Sequence, residues 1–185
     1  LKHSPKLVRL EGFFEPNTYK KIKNEIKILE FKHLRIPDRF SFSKIKSKFI
    51  ENLFNSEEFL DFVERLIGKK IGKAKIKIKK FRHKDYTLLH DEEMKKEKEK
   101  RLEFFFFICE DWNFLYGGNK IFVIGEKNEK TFVFTPSGNS FSLVNKDKNI
   151  KEFVQYVKHF ARDREFVIVE GWLERDAPTI FKTSG

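Results

Sequence analysis

The sequence predicts an α+β fold in which helices come first and a β-sandwich or jelly-roll body of short strands follows. Three observations predict it. Apolar residues recur twice at helical spacing in the N-terminal part, and the period switches to two after Gly72. Beyond that point turn residues cut the chain into closely spaced apolar stretches.

The elements follow in order. Leu7 to Phe14 has a short apolar strand pattern, and Pro16-Asn17 marks a turn. From Tyr19 the positions Tyr19, Ile22, Ile26 and Leu29 share one helix face, with lysines on the other. Pro37 and the polar stretch 41–47 read as a loop or an irregular strand and loop. A second helix starts at Asn55-Ser56, with Ser56 as its cap and Phe59, Leu60, Val63, Leu66 and Ile67 as its buried stripe; Gly68 is its stop. Ala74, Ile76 and Ile78 then alternate with lysines, the pattern of a half-buried strand. Further strands are expected at 86–90, 102–109, 120–125, 131–135, 140–144 and 166–173, separated by turns at Gly117-Gly118, 127–130 and 136–139. For 149–161 a helix is expected. Asn149 is a cap with Glu152 as its capping-box partner, and Ile150, Phe153, Val154, Val157 and Phe160 keep helical spacing while alternating poorly as a strand.

Composition narrows the class. A chain of 185 residues fits one domain, with a helical part at about 16–68 and a barrel at about 73–173. With 39% hydrophobic and 36% charged residues it reads as globular rather than disordered. The longest apolar stretch, Phe104 to Cys109, is far short of the roughly 18 residues of a membrane span, so no membrane partner is expected. No signal-peptide pattern opens the sequence, which begins at Leu1 rather than Met. The lone Cys109 excludes an intrachain disulfide and any zinc site of several thiolates, and agrees with a reducing, intracellular setting, cytoplasmic or nuclear. The net charge of +11 raises RNA as a partner, but lysines are spread along the chain and interleaved with glutamates, as in 92–101, which reads as solvated charge.

The stretch with chemical content is Lys84-Asp85-Tyr86-Thr87-Leu88-Leu89-His90-Asp91-Glu92. A histidine at a strand end, followed by carboxylates, offers two ligands of the kind that a mononuclear non-haem iron takes from two histidines and one carboxylate. The plain alternative is a histidine that merely ends a strand before a charged loop.

This stretch resembles the metal-site strand of the iron/2-oxoglutarate dioxygenases, and most of all that of the prolyl hydroxylases acting on a ribosomal protein. The likeness continues in order. Arg101-Leu102-Glu103-Phe104-Phe105-Phe106-Phe107-Ile108 resembles the next apolar strand, and Asp111-Trp112 with Tyr116-Gly117-Gly118 the family's Trp and Gly-Gly turn. The stretch from Pro136 to Val144 resembles its Pro–Asn strand, and Gly171-Trp172 its closing strand. The resemblance implies a double-stranded β-helix, or jelly-roll, core with N-terminal helices packed on one sheet. It also implies Fe(II) and 2-oxoglutarate as cofactors and a protein side chain, such as proline, as substrate. His90 with Glu92 or Asp91 then stands where the metal ligands belong, and Tyr86 beside the pocket.

The departures from the family pattern are specific. Its carboxylate is Asp two positions after the histidine, where this sequence has Glu92. Its second histidine is expected near Phe153 or Val154, and neither binds metal; His159 is the nearest substitute, some five residues on. Its 2-oxoglutarate arginine is expected at Phe166, with Arg164 two positions earlier as the nearest cation. Three readings follow: a degenerate dioxygenase fold (a pseudoenzyme) that acts by binding a protein partner, an active protein hydroxylase with a rearranged site, and a basic RNA-associated module on the same scaffold. The first leads.

Overall fold

The computed structural model describes residues 7–88, 101–125, 130–146 and 150–173. Three helices, α1 (Pro16–Ile28), α2 (Lys48–Leu53) and α3 (Glu57–Ile67), lie in the N-terminal part. The strands are β1 (Leu7–Leu10), β2 (Lys32–Ile36), β3 (Phe40–Ile45), β4 (Ala74–Phe81), β5 (Tyr86–Thr87), β6 (Arg101–Ile108), β7 (Lys120–Ile124), β8 (Lys130–Phe134), β9 (Ser140–Lys146), β10 (Ile150–Val154) and β11 (Phe166–Leu173).

Local chemistry sets the helix ends. Ser47 Oγ accepts from Ile50 N–H and Ser56 Oγ from Phe59 N–H, satisfying donors that the first turn leaves open. Gly68 ends α3 in the left-handed region, at φ 67°, with its N–H donated to Glu64 O at 2.8 Å.

The strands form two sheets. The larger runs β1-β9-β6-β11-β4-β3-β2, with β5 paired to β3; the smaller runs β10-β7-β8, and every pair is antiparallel. Because side chains alternate across a strand, the larger sheet has two inner faces. Phe104 and Phe106 of β6, Phe141 of β9 and Val169 of β11 meet Ile22, Ile50, Phe54, Phe59 and Val63 of the helices. Phe105 and Phe107, with Phe81 and Phe166, meet Phe122, Phe134 and Val154 on the other face. The result is a three-layer α+β molecule: helices, the large sheet, the small sheet. Most of the phenylalanines are thereby explained as core, in edge-on and stacked contacts such as Phe54–Phe104 at 5.1 Å. Among the described residues no helix is long and apolar enough to cross a membrane.

Pro16-Asn17, read as a turn, is the first turn of α1, and α2 is unexpected; two longer segments also depart from expectation. The stretch read as irregular is a β2–β3 hairpin, turning through Pro37-Asp38 with Asp38 at φ 60° and Arg39 N–H donated to Ile36 O. Its alternation was hidden because the inward positions of β3 include buried serines; Ser41 Oγ donates to buried Asp85 at 2.6 Å. The expected helix over 149–161 is a correction. Residues 150–154 form strand β10 on β7, followed by an extended stretch and a 3-10 turn at His159–Ala161. Its inward face is Ile150, Glu152 and Val154, so one member of the alternating set is a buried carboxylate that no hydrophobic count registers.

Where β3 leaves β4 after the Ile45–Ile78 pair, a side chain replaces the missing strand. Asn55 Oδ1 accepts from Ala74 N–H at 2.8 Å, and Nδ2 donates to Ala74 O at 3.0 Å. Asn55→Ala strands both groups of a buried residue and is expected to cost about 2 kcal/mol in urea unfolding, whereas Asn55→Asp, which keeps the acceptor, is expected to cost less.

Candidate functional site

The resemblance places a metal centre between the strand containing Tyr86 and the strand near Phe153–Val154. The fold does bring these together: Val154 N–H donates to Thr87 Oγ1 at 2.7 Å, across 67 residues of sequence. His90, Asp91 and Glu92 lie outside the described residues. Tyr86 is half-buried with its ring 6.2 Å from that of Tyr156, and it is Thr87, on the opposite side of the strand, that meets β10. The turn before it is tied to the stretch after β10, since Lys84 N–H donates to Val157 O and Val157 N–H to Asp85 O.

At the expected second-histidine position Val154 is 2% exposed and apolar. The inward residue two positions earlier, Glu152, is ionisable but already engaged. Lys120 Nζ lies 3.2 Å from its Oε2 and Lys146 Nζ 3.3 Å from its Oε1. These contacts belong to a longer alternating chain. Lys79 meets Glu170 at 2.9 Å, Glu170 meets Lys120 at 2.7 Å, and Lys146 meets Glu103 at 3.3 Å. Three lysines and three glutamates, one from each of β4, β11, β7, β10, β9 and β6, thus run between the two sheets as Lys79–Glu170–Lys120–Glu152–Lys146–Glu103. Lys120 Nζ also stands over the Phe105 and Phe122 rings.

The electrostatics follow from closeness. Burial disfavours the charged form of Glu170, but Lys120 and Lys79 outweigh it and hold its carboxyl well below the usual range. Glu152 is likewise lowered, with burial opposed by Lys120 and then Lys146. For Lys120 burial works against the ammonium, and Glu152 and Glu170 reverse that, so its pKa is raised. Lys79 is raised in the same way, burial being overcome by Glu170. All four groups are therefore charged at neutral pH. No motif marked this chain in the sequence; the usable signal was a lone charge inside each of several apolar strands, such as Glu103 before Phe104 and Glu170 after Val169.

The expected 2-oxoglutarate anchor is equally committed. Phe166 is 1% exposed, stacks on Phe81 at 5.2 Å and 13°, and meets Phe107 and Trp112 edge-on. Gly118, at φ 68°, packs so closely that an added Cβ would stand 2.6 Å from the Phe166 ring. Arg164, the nearest cation by sequence, does not lie on β11 beside Phe166. It precedes β11, is exposed, and stands over the Tyr116 ring at 5.5 Å, because its N–H closes a turn on Ala161 O. His159 is exposed as well, its ring 4.0 Å from that of Phe160. Neither reaches the interior. Among the described residues no group of three His, Cys, Asp or Glu could hold a metal. Cys109 is not a nucleophile in waiting either: burial, then Glu110 and Asp111, push its thiol up to about 12.

Comparison with known proteins agrees with this architecture. The family model described as "Oxoglutarate and iron-dependent oxygenase degradation C-term" matches residues 14–176. Prolyl 3-hydroxylase OGFOD1 of Xenopus laevis is 28% identical over 97 residues, which is 52% of this chain but only 19% of the length of that relative. A prolyl-4-hydroxylase from Pseudomonas putida shares the fold, with a TM-score of 0.70 at 9% identity over 92% of this chain and 93% of its own. A prolyl hydroxylase from Trichoplax adhaerens, solved with a hypoxia inducible factor oxygen degradation domain peptide, gives a TM-score of 0.59 at 12% identity over 91% and 83%. The architecture is therefore an α+β double-stranded β-helix, the fold of the prolyl hydroxylases it is similar to, and the chain belongs to the oxoglutarate and iron-dependent oxygenase degradation C-term family.

Proposed function

We propose that this domain acts by binding a protein partner, on a dioxygenase scaffold that no longer performs the usual hydroxylation. The observation that carries the reading is the state of the barrel interior. The inward neighbour of the second-histidine position, Glu152, is held by two lysines, and the arginine position is a phenylalanine wedged among aromatic rings. The described residues do not fit an iron centre with 2-oxoglutarate: a metal would have to draw Glu152 out of a matched charge chain, and the far carboxylate of the co-substrate would face Phe166. A protein partner is favoured because the family's relatives include protein hydroxylases, one of them solved with a peptide bound.

Anaerobic titration with Fe(II) and 2-oxoglutarate tests the reading. The expected result is no saturable visible charge-transfer band and no difference between the native chain and His90→Ala. A saturable band that His90→Ala abolishes would overturn it in favour of a hydroxylase using His90 with Glu92 or Asp91.

A further inference from the structure

The small sheet ends on an unguarded strand. Its order puts β10 on one side and β8 on the other. Free strand edges are usually protected by charge, proline or a covering side chain. On β10, Val154 N–H is given to Thr87 Oγ1, and β2, an outer strand of the large sheet, carries Lys32 and Arg35. After Lys130, β8 and the residue beyond it read Thr131-Phe132-Val133-Phe134-Thr135, with no charge and no proline. These are strong strand formers. Phe132 is nonetheless 36% and Val133 47% exposed.

The ladder fixes which backbone groups β8 turns outward. Successive residues of a strand direct their N–H and C=O to alternate sides. Val154 N–H is turned away from β7, so β10 bonds β7 through Phe153–Ile121 and Lys151–Val123. β7 then faces β8 with Lys120, Phe122 and Ile124, whose partners are Phe134, Phe132 and Lys130. Thr131 and Val133 are left with N–H and C=O directed outward, and among the described residues no hydrogen bond reaches them there. Thr135 O has the same phase: it accepts from Arg9 Nη2 at 3.2 Å, which closes the edge at its C-terminal end. The open edge is therefore short, two outward residues on either side of Phe132.

So short an edge suits a rigid strand better than a flexible peptide, whose ordering would offset most of what a few hydrogen bonds supply. A second copy of this chain brings such a strand, and β8 matches itself about a two-fold axis at Phe132. In antiparallel register Thr131 of each copy lies opposite Val133 of the other, and each such pair exchanges two backbone hydrogen bonds. Phe132 meets its own counterpart in a non-hydrogen-bonded pair, where side chains approach most closely. The two Lys130 side chains fall at opposite ends of the pair. An axis at Val133 would instead need Thr135 O, which Arg9 already holds. We infer that the chain forms a two-fold dimer through β8, joining the small sheets of two copies into one continuous antiparallel sheet.

Analytical ultracentrifugation of the full chain is expected to show its mass rising from one chain toward two between about 5 and 500 μM. Val133→Pro removes only an outward N–H, so it is expected to melt near the native temperature and to stay monomeric throughout. Val133→Lys keeps that N–H and guards the edge with charge; it is expected to weaken the dimer by about tenfold or more, and it serves where proline disturbs the fold. Cysteine substitution reads the register. Phe132→Cys is expected to oxidise to a disulfide-linked dimer, because the two Cα atoms at the axis stand about 4.5 Å apart. Val133→Cys, offset from its own counterpart by two residues, is expected not to. Cys109 is buried, so the native chain is the blank. A native chain that remains monomeric over the whole range overturns the proposal. So does a dimer that survives both Val133 variants, or equal cross-linking at positions 132 and 133. None of these readouts depends on iron, so failure here leaves the metal titration to judge the non-catalytic reading separately.

Discussion

Lys120→Met is expected to lower the unfolding free energy by about 3–5 kcal/mol, because it leaves Glu152 and Glu170 inside the barrel without their shared cation. Lys120→Met/Glu152→Leu is expected to be much closer to native, about 1 kcal/mol down. Removing the two central members of the alternating chain leaves two complete pairs, Lys79–Glu170 and Lys146–Glu103. Urea unfolding of the native chain, both single variants and the double variant gives the coupling. Equal destabilisation by Lys120→Met and by the double variant would show that the chain of charges is not a unit. The pH dependence has a definite sign. Glu152 and Glu170 have folded pKa values below the ordinary 4.5, so their contribution is present above that pH and is lost as pH falls below it. Lys79 and Lys120 are raised above the ordinary 10.5, so theirs is complete below that pH and is lost only as pH rises through the higher folded values. Stability is therefore expected to be flat across neutral pH and to fall in acid, and in Lys120→Met the acid loss is expected to begin at higher pH.

Phe166→Arg restores the side chain that the dioxygenase pattern has at this position, and it is expected to destabilise the fold by about 4 kcal/mol or more rather than to recreate a co-substrate site. The guanidinium would replace a ring packed against Phe81, Phe107 and Trp112, with Gly118 closing the space on the near side. The charge chain lies on the same face of β11, but its described acids already face lysines. Thermal melts with and without millimolar 2-oxoglutarate decide the point. A variant that melts near the native temperature and is stabilised by 2-oxoglutarate would show that the anchor is one substitution from working. That outcome would remove a main support for a degenerate site.

The two predictions concern features with very different legibility. That Phe166 replaces an arginine is visible by position, as is the apolar character of Phe153 and Val154. That Phe166 is then built into an aromatic stack is not, because Phe81, Phe107 and Trp112 come from three separate segments. His159 and Arg164 show the converse error. Distance along the chain made them the nearest substitutes, but the 3-10 turn at His159–Ala161 and the turn closing on Ala161 O put both outside.

The sequence by itself determined α1, α3 with its Ser56 cap and Gly68 stop, and most strands from β4 onward, because these are written in local periodicity and end chemistry. The ordered series of motifs from Asp85-Tyr86 to Gly171-Trp172 likewise identified the superfamily. Tertiary structure alone decided that 150–154 is a strand, that the β2–β3 hairpin forms beside β4, and that six scattered charges join into one buried chain. The reason is common to all three. A buried Glu, Lys or Ser reads as solvent-facing in any one-dimensional pattern, and only the partner brought up by a distant strand makes its burial favourable.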